Sequence, residues 1–106
     1  MDLTNLKLYF SKNGTWQNSG VPTSGATGTG ALSITATPTT GFYFMGVSDT
    51  SGSYGAVVEA NFGNGYFGTS QISSAGTSSS GDDSIWEYDC PTGYYGLNTK
   101  NINTYG

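Results

Sequence analysis

Alternating apolar and polar residues near the start of the chain predict a β-hairpin. The alternation runs from Leu6 to Ser11 and has the period of a strand with one buried face. Asn13-Gly14 follows directly, and this dipeptide is typical of a type I′ turn because both central residues need a positive φ. We therefore expect the chain to reverse at this point and to return as a strand from Thr15 to Asn18.

Further segments along the chain show the same two-residue period. They are Leu32 to Ala36, Phe42 to Val47, Tyr54 to Phe62 and Ile85 to Cys90. In the second of them apolar residues occupy both faces, so we expect both faces to be covered. No segment shows the 3.6-residue period of an amphipathic helix. The pattern predicts one all-β domain over residues 1–106, either an antiparallel β-sandwich or part of a barrel.

Composition and charge exclude several kinds of chemistry. The chain has three Lys, no Arg and no His against seven acidic residues, so its formal net charge is −4. Without His there is no imidazole base for a serine or cysteine nucleophile and no histidine-based zinc motif. Three scattered lysines cannot neutralise a phosphate backbone. We expect no nucleic-acid partner, no cofactor and no metal.

The residue content also predicts a thin hydrophobic core. Leu, Ile, Val and Phe together make up only 18 of the 106 residues, and eight Tyr and two Trp supply much of the remaining apolar surface. By size scaling, a chain of this length buries about 65% of its unfolded surface, which is marginal. Cys90 is the single cysteine and cannot form an intrachain disulfide, so it is expected to be a buried small apolar residue. A core this small is consistent with a fold that a partner chain completes.

The chain shows neither a signal peptide nor a membrane-spanning run. Its first ten residues lack a basic region followed by a long apolar stretch, and no run approaches 18 apolar residues. We expect a protein made in a reducing cytosol and not inserted into a membrane.

Three sequence blocks resemble a known family. Residues 2–16, DLTNLKLYFSKNGTW, are similar to the hairpin of SPRY domains, in which a strand of the form DLxxxKLxFSxNGxW turns at Asn-Gly. Residues 60–64 resemble the family's NFG segment, and residues 91–102, PTGYYGLNTKNI, resemble its PxG[FY]x[AS]LxTxN[IL] ending. The blocks fall in family order and span nearly the whole chain. This combination is typical of SPRY-like modules in bacteriophage proteins, especially those of marine phages.

The resemblance implies a fold and a class of function. SPRY-like modules are concanavalin A-like sandwiches of two antiparallel sheets, of jelly-roll type, which bind proteins or glycans and are usually not catalytic. A complete SPRY domain is considerably longer, and its hairpin block lies near the middle, whereas here it begins at residue 2. The chain is then either the C-terminal part of such a domain or a shortened relative that neighbouring subunits complete.

The resemblance, together with the acidic composition, predicts a non-enzymatic virion protein. It would be made in the host cytoplasm and would lie on the capsid surface or be associated with the tail. Its partners would be other virion proteins or copies of itself, in a homo-oligomer or a larger assembly, or a host surface. The alternative is a carbohydrate-binding adhesin that uses aromatic residues near turns, namely Trp16, Tyr66, Tyr94 and Tyr95. The same side chains could equally form the core of a leucine-poor sandwich.

Two acidic pairs are candidates for other chemistry. Glu87 and Asp89 share a face if their segment is a strand, and retaining glycosidases hold two carboxyl groups about 5–5.5 Å apart. Pro91 occupies the place where the fuller hydrolase pattern has a second Glu, and a solvated face opposite Trp86 and Tyr88 explains the pair equally well. Asp82-Asp83 could ligate Ca²⁺, but no calcium-binding pattern surrounds it, so a solubilising loop is the simpler interpretation.

Overall fold

A computed structural model describes residues 1–36, 39, 41–48, 50, 52, 55–76 and 84–105. Over these residues the strands form three antiparallel pairs, β1 with β4, β2 with β3 and β5 with β6, and one helix lies near the end. The fold thus consists of short antiparallel strand pairs with little helix. The elements in chain order are β1 (Lys7–Leu8), β2 (Ser11–Lys12), β3 (Thr15–Trp16), β4 (Leu32–Ser33), β5 (Tyr66–Phe67), β6 (Ser70–Gln71) and α1 (Thr99–Tyr105), with 3₁₀ turns at Gln17–Ser19 and Gly25–Thr27.

The hairpin at Asn13-Gly14 is confirmed. Asn13 and Gly14 have φ values of 50° and 74°, as a type I′ turn requires, and β2 pairs with β3 across them. The return strand is shorter than predicted, because the chain enters a 3₁₀ turn at Gln17 and Asn18 adopts a φ of 54°. The prediction that this strand reaches Asn18 is therefore wrong.

The predicted first strand is interrupted near its start. Asp2 and Lys7 exchange two backbone hydrogen bonds, with N···O distances of 2.7 and 2.9 Å, which close a tight turn over residues 2–7. This turn places Leu6 at a φ of 56°, so β1 begins only at Lys7. Its partner is β4, in the register that sets Leu8 opposite Leu32.

Two other segments predicted as strands form no strand among the described residues. In residues 42–47, Phe44 and Met45 are 83% and 80% exposed, so the expectation that both faces are covered is wrong. In residues 55–61, Val57 is 91% exposed, and Tyr54, the predicted start of that strand, lies outside the described residues. Alternation produces a strand only where a second strand pairs with it, and the described chain places none beside either segment.

Residues 85–90 also differ from the predicted continuous strand. Ile85 makes a single parallel bridge with Asn64, and residues 86–89 are irregular. Tyr88 was expected to be buried with Trp86, yet it is 47% exposed, while Trp86 is half-buried. In an irregular segment, odd and even positions need not point to opposite faces.

The C-terminal residues form a helix, although the sequence shows no helical period. Asn98 caps α1: its Oδ1 accepts a hydrogen bond from the backbone N–H of Asn101 at 3.0 Å. Its backbone carbonyl accepts from the N–H of Ile102 at the same distance. Capping by Asn satisfies the free N–H groups of a first turn and explains why the helix begins here. In the described part of the chain, no helix is long and apolar enough to cross a membrane.

The core is thin, as the composition predicts. Among the described residues, Tyr9 is the one hydrophobic side chain that is buried, with 9% exposure. Its hydroxyl lies 3.2 Å from Ser24 Oγ, within hydrogen-bond distance. Ser84 and Asn101 are buried more deeply, at 6% and 5% exposure. These two polar side chains are therefore more deeply buried than Tyr9.

These buried polar groups connect the C-terminal segments. Asn98 Nδ2 donates to Ser84 Oγ at 2.9 Å, and Asn101 Nδ2 donates to the Gly96 carbonyl at 2.9 Å. A Cβ atom on Gly96 would lie 2.5 Å from Ser84 Oγ, so only glycine permits this approach. The hydrogen bonds fix the segment around Ser84 against the start of α1.

Candidate functional site

Four aromatic side chains and two carboxylates line a cavity of about 260 Å³. We call this cavity the aromatic recess. Its aromatic residues come from β3, β5 and the irregular segment 85–90, and its acidic residues come from that same segment. The side chains are Trp16, Phe67, Trp86, Tyr88, Glu87 and Asp89.

Asn61 anchors the segment that supplies most of the recess. Its Nδ2 donates to the Ile85 carbonyl at 3.1 Å, and its Oδ1 accepts from the Gly63 and Gly65 N–H groups at 2.7 and 3.3 Å. The backbone N–H of Ile85 donates in turn to the Gly63 carbonyl at 2.9 Å. These hydrogen bonds hold Ile85 against residues 61–65 and so fix the backbone position of the next residue, Trp86.

The hairpin turn forms the opposite side of the recess. A Cβ atom on Gly14 would lie only 2.7 Å from the ring of Tyr88, so this ring packs directly on the turn. Glycine is needed here twice, for its positive φ and for the space that the ring occupies. The predicted hairpin thus positions Trp16 beside the segment that carries Tyr88.

The recess is acidic. Glu87 is half-buried, and its Oε1 accepts a hydrogen bond from the Ser73 hydroxyl at 2.9 Å. Asp89 lines the same cavity, and none of the three lysines of the chain does. The two carboxylates predicted as a pair therefore face one cavity. A role for them in glycan hydrolysis stays a prediction.

A second, wider cavity lies between the first residues and the C-terminal segment. This terminal cleft has a volume of about 1010 Å³ and is lined by Leu3, Pro22, Tyr94, Tyr95 and Ile102, among others. The Tyr94 hydroxyl donates to the Pro22 carbonyl at 3.0 Å, and partial burial, with the nearby Asp2 carboxylate, raises the pKa of Tyr94. Tyr95 is 44% exposed. Tyr94 therefore connects two segments, and Tyr95 is partly exposed in the same cleft.

Asp2, at the edge of the terminal cleft, closes a local hydrogen-bonded turn. Its Oδ1 accepts from the Asn5 backbone N–H at 2.9 Å, and its Oδ2 accepts from Asn5 Nδ2 at 2.8 Å. These hydrogen bonds favour the ionised form and hold the pKa of Asp2 below its usual value.

The structure does not bring the four predicted binding aromatics together. Trp16 lines the aromatic recess, Tyr94 and Tyr95 line the terminal cleft, and Tyr66, 41% exposed on β5, lines neither. Sequence analysis missed Phe67 as a site residue and assigned Trp86 and Tyr88 to the core. The available signal was the stretch from Trp86 to Asp89, where two aromatic residues alternate with the two acids.

The structure leaves the calcium candidate untested and shows where Cys90 lies. No group of three Cys, Asp or Glu residues in the described ranges could hold a metal ion, and Asp82 and Asp83 lie outside those ranges. Cys90 is half-buried rather than fully buried, and its thiol donates to the Tyr94 carbonyl at 3.3 Å. This hydrogen bond links segment 85–90, which lines the aromatic recess, to Tyr94, which lines the terminal cleft.

Comparison with protein-family models, with curated proteins and with solved structures yields no match to this chain.

Proposed function

We propose that this chain is a non-enzymatic interaction module of a bacteriophage particle, whose fold is completed by neighbouring chains. The observation that carries the proposal is excess surface. The accessible area is 7758 Å². A folded monomer of this mass exposes about 5,600 Å² by the usual size scaling. The radius of gyration is 15.1 Å, and a compact domain of this length has about 13 Å.

The excess is larger than the share of one chain in a standard interface. It amounts to about 2,000 Å² on a single chain, whereas a stable interface of standard size buries about 800 Å² of each partner. It corresponds to more than one such interface per chain, or to one large obligate interface. A chain that buries one hydrophobic side chain among its described residues gains little hydrophobic free energy alone. Burial against other chains would supply what the monomer lacks.

The exposed apolar residues indicate where such burial occurs. Residues 42–47 and 57–58, which we call the exposed apolar segments, include Phe44, Met45, Val47 and Val57, each at least 70% exposed. Several large apolar side chains exposed along one short segment are typical of an interaction site. The sequence predicts strands over these segments because apolar and polar residues alternate there. Pairing with strands of a neighbouring chain would explain that alternation.

The family resemblance supports the same proposal and sets its context. A shortened SPRY-like module would complete a concanavalin A-like sandwich with strands from copies of itself or from other virion proteins. The short antiparallel strand pairs of the described chain fit part of such a sandwich. Synthesis in the host cytoplasm followed by incorporation into the virion follows from this assignment.

The oligomeric state of the purified chain tests the proposal. Sedimentation velocity is expected to show an oligomer, which Val57→Asp dissociates because a charge would be buried at the interface. Val21→Asp is the matched control, since Val21 is 44% exposed outside the exposed apolar segments. A well-folded monomer that is indifferent to Val57→Asp would refute the assembly.

Carbohydrate binding is a second candidate, favoured by the terminal cleft. Its volume of about 1010 Å³ is at the upper end of the range for ligand sites, about 300–1,000 Å³. The exposed ring of Tyr95 could stack on a sugar face there. A glycan array should then show binding that Tyr95→Ala removes and Tyr66→Ala retains. An array without any signal for the assembled protein would exclude this candidate.

A further inference from the structure

We infer that the aromatic recess binds a small organic ammonium group, such as a trimethylammonium head group. This inference goes beyond the proposed assembly and uses different residues. It rests on the juxtaposition of four aromatic rings with two carboxylates in one cavity that no lysine lines.

The lining has the chemistry that attracts an organic cation. The faces of aromatic rings carry partial negative charge, and Trp binds cations best among them. Trp16 and Trp86 supply two such rings, and Tyr88 adds a third whose position is fixed against Gly14. An alkylated ammonium ion is weakly hydrated, so it exchanges water for ring faces at little cost.

The carboxylates add an attraction that depends on charge. Glu87 and Asp89 line the recess, and the Ser73 hydroxyl orients the Glu87 carboxylate. Glu87 and Asp89 both line the recess and no lysine does, so their negative charge favours a positively charged ligand over a neutral one.

A neutral sugar is the competing occupant of the recess. Sugar hydroxyls use donors as well as acceptors. The lining residues carry both, since Ser11, Trp16 and Tyr88 have O–H or N–H groups and Glu87 and Asp89 have acceptor oxygens. The two ligands differ in charge, so the titrations below distinguish them.

The volume restricts the ligand to a single small group. At about 260 Å³, the recess lies just below the range of about 300–1,000 Å³ that is typical of ligand pockets. It would accept a head group but not an oligosaccharide or a folded peptide segment.

Binding of choline and of its uncharged carbon isostere, 3,3-dimethylbutan-1-ol, tests the inference. Both are titrated into the full chain in its assembled state, with chemical shifts of the two Trp side chains as the readout. Choline is expected to bind about tenfold more tightly than the isostere. Equal affinity for the two, preference for glucose over choline, or no binding of choline would each overturn the inference.

Charge-neutral variants identify the site. Glu87→Gln keeps the shape of the side chain and its acceptor for Ser73, and it should weaken choline binding about fivefold. Glu59→Gln is the matched control, because Glu59 lies against Gly68 outside the recess and its loss removes the same charge. Equal effects of the two variants would show that choline responds only to the net charge of the protein, and they would overturn the proposed site.

A ring variant tests the aromatic part separately. Trp16→Leu retains an apolar side chain on β3 but removes the ring face, so choline affinity should fall about fivefold while thermal unfolding confirms that the variant folds. Unchanged affinity in a folded Trp16→Leu protein would contradict the role of the ring.

Discussion

At the scale of single residues, hydrogen-bonded Asn side chains hold segments together in places where apolar contacts usually do so. Asn61, Asn98 and Asn101 each bond to groups on other segments. Each amide combines donors with an acceptor, so one residue can satisfy several backbone groups that would otherwise be buried without partners. Removal of such a residue deletes one hydrogen bond between two parts of the chain.

Asn101 offers the clearest test of this point. Asn101→Ala removes one donor to the Gly96 carbonyl, which keeps its hydrogen bond from the Asn98 N–H, and should lower the free energy of unfolding by about 0.5–1.5 kcal/mol. Urea denaturation measures the change. Asn103→Ala is the control on the same helix, because Asn103 is exposed, and it should change the stability by less than about 0.5 kcal/mol. Similar losses in both variants would assign the effect to helix propensity.

The local turn at Asp2 predicts a pH dependence. Hydrogen bonds from Asn5 lower the pKa of Asp2, so their stabilisation is fully present above the unfolded value of about 3.9. It is lost as the pH falls through the lower, folded pKa. Asn5→Ala removes the side-chain donor and should raise the pKa of Asp2, measured by NMR titration of its carboxyl carbon. An unchanged titration would show that the Asn5 side chain does not stabilise the carboxylate.

At the scale of elements, prediction from sequence succeeded where the signal is local. The turn at Asn13-Gly14 depends on the backbone preferences of two residues, and it forms as predicted. The strand predicted at 42–47 depended on a partner strand that the alternation cannot specify. Helix α1 was missed because its buried contacts are polar, although Asn98 as a cap was a usable signal.

The hairpin turn predicts unequal costs for two glycine substitutions. Gly14 and Gly93 both have positive φ values, 74° and 85°, so alanine at either position should cost about 1–2 kcal/mol of stability. At Gly14 the new Cβ would also meet the Tyr88 ring, whereas at Gly93 it would meet nothing within 4 Å. Gly14→Ala should therefore cost about 1 kcal/mol more. Equal losses in chemical denaturation would mean that the ring does not pack on the turn.

At the scale of the whole molecule, the sequence identified several site residues but not how they combine. Trp16, Glu87 and Asp89 were candidates from their positions, yet they belonged to different hypotheses. Phe67 completes the recess from a separate hairpin. Because three separate segments must meet to form the cavity, only the tertiary arrangement shows that these side chains share one site.

The surface area predicts a concentration-dependent stability. If neighbouring chains bury the exposed apolar segments, mass action stabilises the folded assembly as the protein concentration rises. The midpoint of thermal unfolding should increase by several degrees over a hundredfold range of concentration, as followed by circular dichroism. A constant midpoint would indicate a monomer whose stability is independent of other copies.

The hydrogen bond between Tyr94 and Pro22 indicates the order in which parts of the structure form during synthesis. It joins residues 72 positions apart, and a ribosome that adds about 5–20 residues per second needs about 4–14 s to cover that distance. The hairpin at Asn13-Gly14 can close within about 10 µs of its emergence. The nascent protein therefore carries a finished hairpin seconds before Tyr94 is synthesised, and the terminal cleft forms only after the residues around Tyr94 have been made.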